Sequence, residues 1–336
     1  MKRNMRQWVA ETIAAPVKRP LPILSFPSVQ LMHISVQQLV SSSDPQAAAM
    51  KTVADRVSAA ASVSMMDLSV EAECFGAQIA FSSDEVPTVT GALISSQEEA
   101  EALTIPKVGS GRTGVYINAV AKAARQITDR PVFAGAIGPF SLAGRLLGVA
   151  DAMIYCYDEP EMVHTVLEKT TAFAIAYCNA FKEAGANGVV IAEPLGGLLS
   201  PAMALEYSHA YVSQVIQAVQ TDTFAVIYHN CGNNVALMRD DIYRLGAMGY
   251  HFGDAVSMTD MLPGAPADAL VMGNVSPAFQ FRGGTPDSIR SATLDIMEKC
   301  CTFPNFVISS GCDIPPLSPW ENIEAFFAAA EAFYRK

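Results

Sequence analysis

The chain has 336 residues, is 51% hydrophobic and 16% charged, and carries a formal net charge of −11. That acidity argues against a nucleic-acid or anionic-membrane partner. No apolar run reaches the ~18 residues of a membrane span, and the N-terminus lacks the apolar core of a signal peptide. Seven cysteines, an odd number without framework spacing in a chain this long, read as reduced thiols of a soluble cytoplasmic protein.

In chain order, the first strand is expected at Leu21–Phe26, closed by Pro27. Asp44-Pro45 opens a helix to about Ala61, with aspartate at the N-cap and proline in the first turn. Ser62–Leu68 follows as a strand, with a further short strand near Ala77–Phe81. Gly109-Ser110-Gly111-Arg112-Thr113-Gly114 has the spacing of a dinucleotide fingerprint, but no strand precedes it, so it is set aside. Helices are expected from Thr113 to Ile127 and from Glu159 to Ala184, on either side of a strand at Pro131–Ile137 that turns through Gly138-Pro139 into another helix. Gly188–Ala192 is a strand ending at Glu193-Pro194, and Ser200-Pro201 caps the next helix.

Phe224–Tyr228 is a strand that delivers His229 and Cys231; a helix spans Val235–Leu245. Short strands follow at Tyr250–Gly253, ending at Asp254, and at Ala269–Gly273, ending at Asn274. Thr285-Pro286 opens a helix to about Cys301, and Phe306–Ser309 is the last strand, running into Gly311-Cys312. Ser318-Pro319-Trp320-Glu321 has the form of a capping box for a C-terminal helix. The strands are short, apolar and β-branched, as parallel strands covered on their outer face should be. The alternation, without repeats or a low-complexity linker, predicts one (β/α)8 TIM barrel over residues 1–336 with extra helices before its first strand; a doubly wound open sheet is the alternative.

Barrel active sites gather at the C-terminal ends of the strands. Those ends carry Asp67, Glu193, His229, Cys231, Asp254, Asn274 and Cys312. His229 and Cys231, two apart on an extended strand, face the same side, and Cys312 completes a one-imidazole, two-thiolate set. Three such ligands with an open fourth position are the pattern of catalytic zinc. Asp254 is a candidate for that fourth position while substrate is absent. Glu193 either receives a proton and positions substrate or caps backbone N–H groups. Asn274 and Asp67 are candidate substrate contacts, Asn274 with an Asx-turn as its alternative. His33, His164, His209 and His251 have no partner at ligand spacing and read as structural.

The His229-x-Cys231…Cys312 pattern, Gly273-Asn274-Val275-Ser276-Pro277, and Gly311-Cys312-Asp313-Ile314-Pro315-Pro316 resemble the uroporphyrinogen decarboxylase superfamily. Glu71-x-Glu73-x-x-Gly76 and Gly138-Pro139-Phe140-Ser141 match as well. Within the superfamily the chain is most similar to the methylcobamide:coenzyme M methyltransferase branch. That resemblance implies zinc on the His-x-Cys…Cys set and transfer of a methyl group from a methyl-corrinoid, or methylcobalamin, to a small thiol such as coenzyme M. The Arg-Gln-Ala-Gly-Arg segment of true decarboxylases has no counterpart in Ser25–Met32, where no arginine occurs; a polycarboxylate substrate needs cationic partners. No Asp-x-His-x-x-Gly corrinoid-binding segment is present, so the corrinoid is expected on a separate protein. The alternatives are a decarboxylase-like enzyme and a non-catalytic barrel that binds a corrinoid protein.

Overall fold

The structure, a computed structural model, describes residues 3–335. Among them the strands are, in chain order, β1 (Ser62–Val63), β2 (Gln78–Ala80), β3 (Thr88–Thr90), β4 (Val132–Ile137), β5 (Gly188–Ala192), β6 (Ala225–Asn230), β7 (Gly249–Phe252), β8 (Leu270–Val275) and β9 (Phe306–Ser310). β2 and β3 form an antiparallel hairpin. The other seven form one curled, wholly parallel sheet in sequence order, β1 at one edge and β9 at the other. Helices such as Arg112–Gln126, Pro160–Glu183 and Pro286–Cys300 lie between successive strands of this sheet, as a parallel connection requires.

The sheet is apolar on both faces, and its side chains sort by a period of two. On β6, Val226 and Tyr228 join the core under the helices, whereas Ala225 and Ile227 join a second, inner cluster. Phe133, Val190, Ala192, Leu270, Met272 and Val307 enter the same inner cluster from the neighbouring strands. Helix Met5–Ala14 closes one end of it. Met5 and Val9 are buried there, the Met5 amide donates to the Asp222 carbonyl at 2.6 Å just before β6, and the Trp8 ring lies 5.9 Å from that of Phe133. The strand N-termini are thus covered, leaving the C-terminal ends for chemistry.

The expected first strand, Leu21–Phe26, is not a regular one. Its amide at Leu21 donates to the Ile308 carbonyl of β9 at 3.0 Å, and the Ile23 amide donates to the Ser310 hydroxyl at 3.1 Å. On the other side the Ala60 amide donates to the Pro20 carbonyl at 2.8 Å, and the Ser25 hydroxyl donates to the Val63 carbonyl. The segment therefore runs between the two sheet edges, bonded to both. Pro20 and Pro22 supply no amide hydrogens, and a ladder with those donors missing does not become a continuous strand.

Of the expected strand Ser62–Leu68 only Ser62–Val63 is regular; the remaining expected strands are present with ends moved by at most two residues, and β3, which completes the hairpin, was not expected. Two caps differ from expectation. The C-terminal helix Trp320–Phe333 starts behind Pro319 without a side-chain cap, so Ser318 forms no capping box. Asp44 lies in the first turn of helix Ser43–Arg56 rather than at its cap.

Glu71, in the short helix Val70–Phe75, sends its carboxylate inward to accept the Ile137 amide at 3.0 Å. Burial pushes its pKa up to about 8. A carboxyl raised on folding contributes stability below its unfolded value of 4.5 that is lost as pH rises through the folded one. Glu71→Gln keeps an acceptor for Ile137 and cannot ionise. Thermal melts should show the variant level with wild type near pH 5 and more stable near pH 9.

Candidate metal centre

On β6 the inner face continues from Ala225 and Ile227 to His229, which is 2% exposed. Cys231 follows one step beyond the strand, and Cys312 lies just past β9. The sheet brings these three together: one ligand atom from each lies within 4.8 Å of the others. Cys312 Sγ stands 3.4 Å from His229 Nε2. A tetrahedral zinc with one imidazole and one thiolate sets those two atoms about 3.5 Å apart, so the donor set fits that ion in both chemistry and spacing.

The two thiols are unequal. The neighbouring Cys312 lowers the Cys231 pKa, opposed by burial and the charge of Asp254, whereas the neighbouring Cys231, with burial, pushes Cys312 up to about 12. Two sulfurs and one imidazole nitrogen are soft and borderline donors, the kind that suit zinc.

Close approach of backbone shapes the site. A methyl on Gly253 would overlap Cys231, one on Gly311 would lie 2.8 Å from the Asp254 amide nitrogen and 2.9 Å from its Oδ1, and one on Gly232 would lie 2.5 Å from the Gly197 Cα. Each of these glycines stands at a strand end or in the loop after it, where the chains cross.

The remaining expected residues reach this end of the sheet in different ways. Asp254 is exposed and packs beside Gly311, outside the three-ligand group. Glu193 is fully buried. It accepts the Phe140 amide at 3.2 Å and the Ser141 amide and hydroxyl at 2.6 Å each, so it caps helix Pro139–Leu147. Burial outweighs those bonds and raises its pKa to about 7. Asn274 donates from Nδ2 to the Gly253 carbonyl at 3.0 Å and the Val256 carbonyl at 2.6 Å, pinning the loop that carries Asp254. Asp67 is buried and paired with Arg112, and also accepts the Tyr116 hydroxyl at 2.9 Å and the Ser69 hydroxyl at 2.5 Å. Arg112 reaches on to Glu73 at 2.5 Å.

His251, expected to be structural, lies directly against the cluster. It is the register partner of His229 on β7, its Nδ1 is 2.8 Å from His229 Nδ1, and its Nε2 is 2.8 Å from the Ser309 hydroxyl. Ligand spacing along one strand does not reveal it. The signal was present across strands, because His229, His251 and Ser309 share the inner parity. Burial, then the neighbouring His229, hold the His251 pKa well below its usual value. Asp313, next to Cys312, is a second omission: burial pushes its carboxyl well above the ordinary range, and its Oδ1 has no hydrogen-bond partner.

A sequence model of the uroporphyrinogen decarboxylase (URO-D) family matches residues 28–333. The methylcobamide:CoM methyltransferase MtaA of Methanosarcina barkeri is 26% identical over 275 residues, covering 80% of this chain and 78% of the relative. A uroporphyrinogen decarboxylase of Coxiella burnetii is 26% identical over 253 residues, covering 71% and 68%. A solved methyltransferase from Methanosarcina mazei superposes with a TM-score of 0.86 at 23% identity over 98% of both chains, a likeness of fold.

The crossing of Gly197 and Gly232 generates a test. Gly232→Ala forces the two loops apart beside Cys231, and overpacking of this kind costs about 1–3 kcal/mol. Urea denaturation should show that loss; a variant as stable as wild type would mean the crossing is loose.

Proposed function

The chain belongs to the uroporphyrinogen decarboxylase family, and within it we propose a zinc-dependent methyltransferase that moves a methyl group from a methyl-corrinoid to a small thiol. The observation that carries this reading is the convergence of His229, Cys231 and Cys312. The methyltransferase relatives, named for methylcobamide and CoM, support the reaction class. In this reading the segment Leu21–Phe26 completes a closed (β/α)8 barrel as its irregular eighth stave, and residues 1–336 act as one unit. The cysteines among the described residues are free, which suits a cytoplasmic setting.

His229, Cys231 and Cys312 would hold the zinc, whose contribution when bound is to stabilise a thiolate at neutral pH, where a free thiol of pKa near ~8.5 is mostly protonated. Two thiolates and a neutral imidazole balance its charge, so an incoming thiolate keeps its electron density and its nucleophilicity. The substrate sulfur then forms a bond to the methyl carbon as the carbon–cobalt bond breaks, and cobalt keeps the electron pair. The corrinoid arrives on a separate protein at the open end of the strands.

Asp254, exposed beside Cys231, competes with an anionic thiolate for the open side of the cluster. Asn274 holds the Asp254 loop against Gly253 and Val256. Glu193, with a pKa near neutrality, is the proton acceptor that the sequence offers, and its cap on the 139–147 helix keeps that carboxyl in place. Asp67 and Glu73 engage Arg112, so that arginine orders the rim instead of greeting a polycarboxylate.

Purified protein should carry about one zinc per chain and, with a panel of small thiols, should consume methylcobalamin, read as loss of the methyl–cobalt absorbance. Cys231→Ser and Cys312→Ser should lose most of the metal and the activity while melting near wild type. Serine variants with full zinc content would remove the ligand assignment. Failure of every thiol, with carboxylate loss from uroporphyrinogen, would make the protein a decarboxylase.

Asp254→Ala should bind thiol as well as wild type or more tightly, by calorimetric titration. Weaker binding would mean that Asp254 orders the loop instead of competing with substrate.

A further inference from the structure

Inside the sheet, above Ile227, Met272 and Val307, three polar side chains form a continuous line. Ser309 Oγ lies 2.7 Å from the Leu21 carbonyl, His251 Nε2 lies 2.8 Å from Ser309 Oγ, and His251 Nδ1 lies 2.8 Å from His229 Nδ1. All three residues are at most 2% exposed. The far end of the line is His229 Nε2, beside Cys312 Sγ.

The direction of every bond follows from its ends. The Leu21 carbonyl only accepts, so the Ser309 hydroxyl donates to it. Ser309 Oγ is then free to accept, and His251 Nε2–H donates. A neutral His251 with its hydrogen on Nε2 has a lone pair on Nδ1, and that lone pair accepts His229 Nδ1–H. A second observation reaches the same result independently: His229 Nδ1 also lies 3.2 Å from the His251 backbone carbonyl, another pure acceptor. With its hydrogen on Nδ1, neutral His229 has its lone pair on Nε2, toward the sulfurs.

We infer that His251 and Ser309 are positioning residues that fix His229 in the Nδ1–H tautomer and aim its Nε2 lone pair at the Cys231–Cys312 cluster. Only the identity of the ion facing Nε2 rests on the function proposed above. Partners of this kind change metal affinity by about 10–100-fold when removed.

The tautomers are read directly. In protein with 15N-labelled histidines, freed of metal by a chelator, long-range 1H–15N correlations should show a protonated Nδ1 and a bare Nε2 for His229. His251 should show the reverse. Ser309→Ala should disturb the His251 pattern and weaken zinc binding about tenfold in competition with a chromophoric chelator, and Ser309→Thr, which keeps the hydroxyl, should restore both. His229 protonated on Nε2 in wild type overturns the inference, as does Ser309→Ala holding zinc within about twofold of wild type. Should Ser309→Ala fail to fold, the wild-type ring signals decide alone. A wild type that binds no zinc counts against the function proposed above and leaves the tautomer result standing as the test of this one.

Discussion

Close approach of backbone at the strand ends is the constraint from which the site follows. Cys231 and Cys312 come from strands that are not neighbours, with β7 and β8 between β6 and β9. Side chains a few ångströms long meet across that span only if the loops leaving the strands fold over one another. Gly253 against Cys231, Gly311 against Asp254 and Gly232 against Gly197 are where they do so, at separations that leave no room for a Cβ. Glycine ordinarily costs stability at an ordered position. Here that cost sets the thiols within reach of the imidazole.

The second requirement is that a barrel-like interior be filled and its polar atoms bonded. The layer of Ile227, Met272 and Val307 is apolar, and the layer above it is His229, His251 and Ser309. Such a layer is stable in an apolar interior only when each donor meets an acceptor. The terminal acceptor is the carbonyl of Leu21, in the segment where prolines have broken the ladder. That carbonyl accepts from a side chain, the Ser309 hydroxyl, so the segment that is not a regular strand still takes part in ordering the site.

Strand alternation, the strand-end position of the polar residues and the meeting of His229, Cys231 and Cys312 were legible from a period of two, terminating glycines and candidate donors two apart. Leu21–Phe26 was misread because its apolar composition outweighed the effect of Pro20 and Pro22 on donor supply. His251 was passed over because pairing between strands is a property of register, and register is not written in the spacing along one strand. Glu193 shows a different limit. It lies at a strand end as expected, but its cap depends on how helix Pro139–Leu147 turns back over the sheet, which no local pattern shows.

The acidic residues of this face divide by what they already hold. Asp67 and Glu73 neutralise Arg112, Glu71 is bound to a backbone amide and favours its protonated form, and Glu193 is bound to a helix terminus. Asp254 is exposed, at the edge of the sulfur cluster. A large polyanion would have to draw Arg112 from two carboxylates, one of them buried, and breaking a buried ion pair costs about 3–5 kcal/mol. A small thiol asks for none of this. In the proposed reading it takes a place beside two sulfurs and one imidazole, and Asp254 gives way. In this chain the buried arginine of this face, Arg112, is already engaged by Asp67 and Glu73.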